Sequence, residues 1–250
     1  MLRLAFLATP LALALLCVGA AGATTPGCPA WSDIAAPEVT ADALPRVATA
    51  LRAGRLDVLA IGSGTVLGAR GRPEGSFSDR MVQDLRAAVP GAEIHLVVQG
   101  ERGMPAAAML ATLRNNLAGK GFGLVLWQTG TVEAVRKVPP EDFARTLDAG
   151  AEIVRAADAD LLLVDPQYSR VLQAHATLSP YRDAMQQAAR HPRVLLFHRF
   201  DLIRHWVEAG DLDLESAARP DRSKVAAQLN GCLGQALAQT VLRASGLAQH

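Results

Sequence analysis

The residues of this chain best suited to chemistry lie in a glycine-rich turn, Gly62-Ser63-Gly64-Thr65, directly after an apolar run. The backbone amides of such a turn can hold an anion, and the Ser63 hydroxyl could act as a nucleophile. A serine between two glycines is also common where its hydroxyl bonds only the local backbone. The glycine spacing fits neither the dinucleotide-binding fingerprint nor a Walker A loop. The turn therefore indicates an anion-binding or nucleophilic site of another kind.

A nucleophilic serine requires a base, and His205 is the first candidate because it follows the last of the apolar runs. Without an orienting carboxylate it could equally be a surface or packing histidine. Gln128, Thr129 and Thr131 are polar residues at the end of the third apolar run and could donate hydrogen bonds to a ligand. The remaining histidines show no metal-site spacing with Cys, Asp or Glu. We therefore expect neither a bound metal nor a cofactor.

Five short apolar runs predict buried parallel strands. Segments with helical periodicity lie between them, which predicts right-handed β-α-β units and a three-layer α/β/α sandwich. Ligand sites of such sheets lie beyond the carboxyl ends of the strands. The strands are expected at Asp57–Ile61, Glu93–Val98, Gly123–Gln128, Asp160–Val164 and Arg193–Phe197, and the main helices at Phe77–Ala88, Pro105–Leu117, Pro140–Ala156, Pro180–Arg190 and Lys224–Leu242.

The first two turns resemble sequence blocks of the SGNH/GDSL hydrolase superfamily. Gly62 and Gly68 fit the frame of the first block, in which Gly64 then occupies the position of the nucleophilic serine. Gly103, in the turn after the second run, matches the glycine whose amide helps to form the oxyanion hole. The resemblance implies a flavodoxin-like architecture whose five-stranded parallel sheet has the strand order 2-1-3-4-5.

The third and fourth blocks are similar in position but altered in chemistry. In the third, Gly130 and Thr131 precede Val132, which stands where the family has the oxyanion-hole asparagine. The fourth block of the family is Asp-x-x-His before the last helix. Here Asp221 is retained, and Lys224 occupies the position of the histidine base.

These replacements imply a catalytically degenerate member of the superfamily. A hydrolytic site needs a hydroxyl nucleophile, a base and oxyanion donors, whereas glycine, valine and a protonated lysine supply none of them. We expect the protein to bind a small acylated, anionic or carbohydrate ligand, or a partner, over Ser63, Gly64, Gly103 and Thr131. A purely structural envelope protein is a further alternative, because the sequence has no large basic or aromatic patch that identifies a partner. The family's usual activity leaves an alternative, an ester or acyl hydrolase of cell-envelope carbohydrate or lipid that uses Ser63 with His205 or another base.

Residues 1–23 have the pattern of a secretory signal peptide. Arg3 precedes an apolar run from Leu4 to Val18, and Ala21-Gly22-Ala23 offers a cleavage site. The run is short for a membrane span, although an uncleaved anchor is the alternative. We therefore expect export, to the periplasm, without a stable membrane span after cleavage.

The mature chain keeps two cysteines, Cys28 and Cys232, near its two ends. We expect them to pair, because exported proteins tolerate disulfides, and two buried free thiols are the alternative. Residues 24–46 are expected to form an extended lead-in, and residues 47–250 one hydrolase-like domain. The formal net charge of +1, without a basic stripe, excludes a nucleic-acid footprint, and nothing identifies a protein partner.

Overall fold

The structure, a computed structural model, describes residues 27–37, 39–68 and 74–248. The expected signal peptide at residues 1–23 lies outside these ranges. Within them, a parallel sheet has the order β2-β1-β3-β4-β5. Its strands are β1 Arg55–Gly62, β2 Glu93–Gly100, β3 Leu124–Gln128, β4 Asp160–Val164 and β5 Val194–Phe197. The parallel sheet and the strand order predicted from the sequence are confirmed.

Helices cover both faces of this sheet. In the described ranges they are α1 Ser32–Ala35, α2 Pro45–Arg52, α3 Phe77–Ala88, α4 Ala106–Leu117, α5 Thr131–Arg136, α6 Pro140–Ala156, α7 Arg170–His175, α8 Ser179–Ala188, α9 Arg199–Glu208 and α10 Arg222–Ala244. Helices α2, α3, α9 and α10 pack on one face, and α4, α6 and α8 pack on the other. The chain is therefore the three-layer α/β/α sandwich that its sequence predicts.

The strands are apolar on both faces because each face is covered by helices. On β3, Leu124 and Leu126 belong to the core beneath α3 and α10, while Val125 and Trp127 belong to the core beneath α4 and α6. Gly150 on α6 lies flat against the Trp127 ring, where a Cβ would come within 2.2 Å of Cζ3. Trp127 is thus a core residue that fixes the position of β3.

The expected disulfide between Cys28 and Cys232 is present, with Cα atoms 5.4 Å apart. It joins the lead-in to α10. The described part of this lead-in, expected to be extended over residues 24–46, contains α1 and the beginning of α2. None of the helices in the described ranges is long and apolar enough to cross a membrane.

Helix α2 begins inside the lead-in because a distant residue caps it. Asp160 Oδ2 accepts hydrogen bonds from the backbone N–H groups of Arg46 and Val47, at 2.8 and 3.0 Å. These N–H groups have no partner within the helix, and a carboxylate at this end also complements the helix dipole. The cap comes from the start of β4, so the local sequence does not reveal it.

Candidate functional site

The turns after β1 and β2 touch at the carboxyl edge of the sheet. The Gly103 N–H donates a hydrogen bond to Ser63 Oγ at 3.1 Å. The two strand ends approach so closely that a Cβ on Gly100, which has φ +132°, would lie 1.9 Å from the Gly62 carbonyl oxygen. Only glycine tolerates this combination of backbone angle and contact. The structure thereby brings together Ser63 and Gly103, two residues that the sequence singles out.

Gly64 borders open space at this edge. Its φ is +56°, and a Cβ built on it would meet no atom of the described residues within 4 Å apart from its two chain neighbours. The resemblance to SGNH/GDSL hydrolases places the nucleophilic side chain at this position. A small ligand group therefore has room where that side chain would stand.

A buried carboxylate joins the turn after β3 to the beginning of α4. Glu133, 2% exposed, accepts hydrogen bonds from the N–H groups of Ala106 and Gly130 at 2.6 and 2.9 Å, and from Thr129 Oγ1 at 3.3 Å. Its partners follow two different strands, so it holds two of the edge turns together. This role of Glu133 was not predicted from the sequence, although an acidic residue three positions after a helix cap is a recognisable capping pattern.

Helix α5 adds further groups beside Gly103. Thr131 and Val132 begin this helix and are half-buried. Arg136, at its end, donates from Nη2 to the Gly103 carbonyl oxygen at 2.9 Å. The Val132 side chain carries no hydrogen-bond donor. No sequence pattern indicates the role of Arg136.

A hydrogen-bonded chain connects the first turn to a buried arginine. Thr65 Oγ1 donates to Gln128 Oε1 at 3.2 Å and accepts from Arg199 Nη1 at 3.1 Å. Thr65 is exposed, whereas Gln128 and Arg199 are 4% and 1% exposed. The Thr65 hydroxyl is therefore oriented by a buried amide and a buried guanidinium. Of these, only Gln128 was a candidate from the sequence.

Arg199 belongs to a buried charged cluster at the ends of β4 and β5. Its Nε donates to the Asp165 carbonyl oxygen at 3.0 Å. The Asp165 carboxylate accepts from Arg182 Nε and from the Phe200 N–H, at 3.0 and 2.8 Å. Burial raises the pKa of Asp165, against the lowering effect of Arg182. Burial likewise lowers the pKa of Arg199 to about 10, so its guanidinium stays charged at neutral pH.

Three of the sequence candidates are not linked to this edge. His205 is exposed in the last turn of α9, and Asp221 and Lys224 are exposed at the start of α10. In the part of the chain that the structure describes, none of them hydrogen-bonds Ser63 or Gly103. The described residues also include no group of His, Cys, Asp and Glu side chains that could hold a metal ion.

The model of the Non-GDSL lipase-like family matches residues 27–247 of this chain. No curated protein matches its sequence.

Several solved structures share the fold. A protein placed in the G-D-S-L lipolytic family, from Desulfitobacterium hafniense DCB-2, is 20% identical with a TM-score of 0.56, and the match covers 72% of this chain and 98% of that one. LAE5, an alpha/beta hydrolase from the metagenome of Lake Arreo, Spain, is 17% identical with a TM-score of 0.56, covering 79% and 97%. A two-domain esterase (CEX) active on acetylated mannans is 17% identical with a TM-score of 0.58, covering 78% and 53%. At these identities, the similarity establishes the fold alone.

Proposed function

Because this chain belongs to the Non-GDSL lipase-like family, a group with the SGNH/GDSL hydrolase fold, we propose that it binds a small acylated or anionic ligand without hydrolysing it. The ligand occupies the carboxyl edge of the sheet, over Ser63, Gly64, Gly103 and Thr131. We further propose that the protein is exported, on the basis of residues 1–23, and that its ligand is a component of the cell envelope.

The observation that carries this proposal is the open space at Gly64. The position that holds the nucleophile in the resembling hydrolases has no side chain, and nothing in the described residues fills the space. The neighbouring hydroxyl does not substitute for it in the usual way. Ser63 Oγ is engaged as the acceptor of the Gly103 amide, the group that would otherwise donate to an oxyanion.

The arrangement of bases supports the same proposal. A serine nucleophile is activated by a base within hydrogen-bond reach of its hydroxyl. Among the described residues, no histidine or carboxylate hydrogen-bonds Ser63. The two carboxylates buried at this edge are occupied, since Glu133 accepts from three donors and Asp165 from Arg182 and the Phe200 amide.

One observation favours the alternative of an active ester or acyl hydrolase. The Ser63 hydroxyl lies 3.1 Å from a backbone amide at the end of a strand, which is where an acyl group could meet both a nucleophile and a donor. In this alternative the base would come from His205 or another residue after rearrangement.

A single assay separates the two functions. The mature chain, residues 24–250, is incubated with p-nitrophenyl acetate and p-nitrophenyl butyrate beside the variants Ser63→Ala and Ser179→Ala. Ser179 is an exposed serine on α8 and serves as the matched control. We expect no hydrolysis above that of buffer in any of the three proteins. Hydrolysis that disappears in Ser63→Ala but persists in Ser179→Ala would establish the hydrolase and overturn the proposal.

A further inference from the structure

Arg199 is a buried cation without a direct ionic partner. In the described part of the chain, no carboxylate oxygen lies within 4.0 Å of its guanidinium nitrogens. Its two hydrogen bonds go to neutral acceptors, the Asp165 carbonyl oxygen and Thr65 Oγ1. Buried charges in proteins are ordinarily paired, because removing an ion from water is costly. The exposed fraction of Arg199 is only 1%, so its charge is shielded from bulk water.

The nearest carboxylate is already taken. Asp165 is bonded by Arg182, whose Nη2 also donates to Asp201. Asp201 pairs in addition with Arg204, at 3.2 Å. Arg182 and Arg204 thus each lie within 4.0 Å of two carboxylates, whereas the buried Arg199 has no carboxylate at that distance among the described residues.

The Arg199 guanidinium lies next to the candidate site. Arg199 lies directly behind Thr65, which is exposed and follows Gly64 in the first turn. Electrostatic attraction across a desolvated region is stronger than across water. An anion in the open space at Gly64 would therefore interact with this guanidinium through the Thr65 hydroxyl.

We infer that the space over Gly64 takes an oxyanion, a carboxylate or phosphate group, that the Thr65 hydroxyl contacts directly and for which Arg199 supplies the countercharge. This inference rests on the proposed ligand-binding function and adds the chemical class of the ligand. On binding, the Thr65 proton turns from Gln128 Oε1 to the anion, while Oγ1 continues to accept from Arg199. Hydrogen bonds to an ionised acceptor are the stronger ones, which favours this exchange. Arg199 acts here as a positioning residue, since it reaches the ligand through Thr65.

The test is an NMR titration of the 15N-labelled mature chain with acetate, inorganic phosphate and acetamide, following the amides of Gly64, Thr65 and Gly103. Acetate and phosphate distinguish the two sources of the oxyanion, and acetamide is the neutral match to acetate. We expect at least one anion to shift these resonances and acetamide to leave them in place.

Variants then test the two side chains. Thr65→Val removes the hydroxyl without changing the shape of the side chain, and we expect it to weaken anion binding by roughly tenfold or more. Thr65→Ser should restore binding, because it returns the hydroxyl. Arg199→Met should abolish binding, whereas Arg204→Met, an exposed arginine of the same helix, should not affect it. If Arg199→Met does not fold, the comparison of Thr65→Val with Thr65→Ser still tests the inferred oxyanion site.

The results separate this inference from the proposed function. Equal shifts with acetate and acetamide, or anion binding unchanged in Thr65→Val, would overturn the oxyanion site but leave ligand binding standing. Hydrolysis of p-nitrophenyl acetate would remove the proposed function whatever the titration shows. The absence of shifts with all three probes would overturn the inference.

Discussion

The two ends of strand β4 carry buried aspartates that differ in their partners. Asp160, fully buried at the amino end, accepts from two backbone N–H groups of α2, and its Oδ1 has no partner among the described residues. Asp165, 1% exposed just after the carboxyl end, accepts from Arg182 and the Phe200 amide. Burial raises the pKa of both carboxyls, that of Asp160 to about 6.

The difference lies in what compensates each charge. At the amino end, backbone dipoles compensate the charge only in part, and the aspartate serves to cap a helix. At the carboxyl end, the Asp165 carboxylate pairs with the Arg182 guanidinium, and the buried Arg199 bonds the backbone carbonyl of the same residue. A strand can therefore hold one buried acid that caps a helix and another that organises guanidinium groups. The candidate site lies at the end where the buried aspartate has these guanidinium neighbours.

The largest effect is expected from Asp165→Ala. The change removes the carboxylate that Arg182 and the Phe200 amide share, and with it the negative charge of Asp165 that raises the pKa of Arg199. Breaking a buried ion pair by removing one partner costs about 3–5 kcal/mol. The free energy of unfolding from urea titrations at neutral pH measures this loss. Asp165→Asn keeps an acceptor for the Phe200 amide and should lose less. A loss below about 1 kcal/mol in Asp165→Ala would contradict the assigned role.

The position of these aspartates could be predicted from the sequence, but their partners could not. The run Asp160–Val164 is continuous and apolar, so the strand and its ends are evident. Arg182 and Phe200, however, lie 17 and 35 residues after Asp165 and on other elements. Only the packing of α8 and α9 brings them to the strand end.

Within the candidate site, the backbone was more predictable than the side chains. Ser63, Gly64 and Gly103 follow from the turn sequences, because glycine marks the places where chains approach closely. Arg199 was missed because arginine is rarely buried, and a local pattern therefore places it at the surface. Its position directly after a strand that ends at the ligand edge was the one available signal. The helices α5 and α7 have 6 residues each, too few to show a helical period.

The next largest effect is the pH dependence of stability that Asp160 causes at the amino end of β4. Asp160→Asn removes this titrating group but keeps an acceptor for the N–H groups of α2. With a folded pKa of about 6 against an ordinary value of 3.8, the folded state favours the neutral form of Asp160. Its contribution to stability is present below about pH 4 and is lost as pH rises through about 6. The stability of the parent relative to Asp160→Asn should therefore fall by up to about 3 kcal/mol across this window.

Unfolding by urea at a series of pH values gives this difference directly. Arg46 and Arg193 face Asp160 and lower its pKa, so both must be kept in the two proteins compared. Parallel curves for the parent and Asp160→Asn would show that Asp160 does not titrate in this range.

A smaller effect is expected from Glu133→Gln at the carboxyl edge. Like Asp160, Glu133 is a buried carboxylate that accepts backbone hydrogen bonds, but both of its oxygens are used. Glutamine retains one acceptor oxygen and turns an NH2 group toward the remaining donors. We expect a loss of about 1–2 kcal/mol. Faster hydrogen exchange at the Ala106 and Gly130 amides would show that the lost stability comes from these two hydrogen bonds. Unchanged protection at both amides would exclude the role of Glu133 in holding the two edge turns together.

The smallest effect is expected from Arg46→Gln, which removes a cation at the amino end without touching the cap. Arg46 Nη2 lies 2.7 Å from Asp158 Oδ1, but the two side chains are 44% and 63% exposed. Exposed ion pairs are screened by water and contribute less than about 1 kcal/mol. The N–H that caps through Asp160 belongs to the backbone and survives the substitution. Urea unfolding at neutral pH should therefore show a change below about 0.5 kcal/mol, while the pKa of Asp160 rises further because a positive charge is lost. A large loss of stability would mean that the cations near Asp160 compensate its charge as Arg182 does at Asp165, and the contrast between the two ends of β4 would disappear.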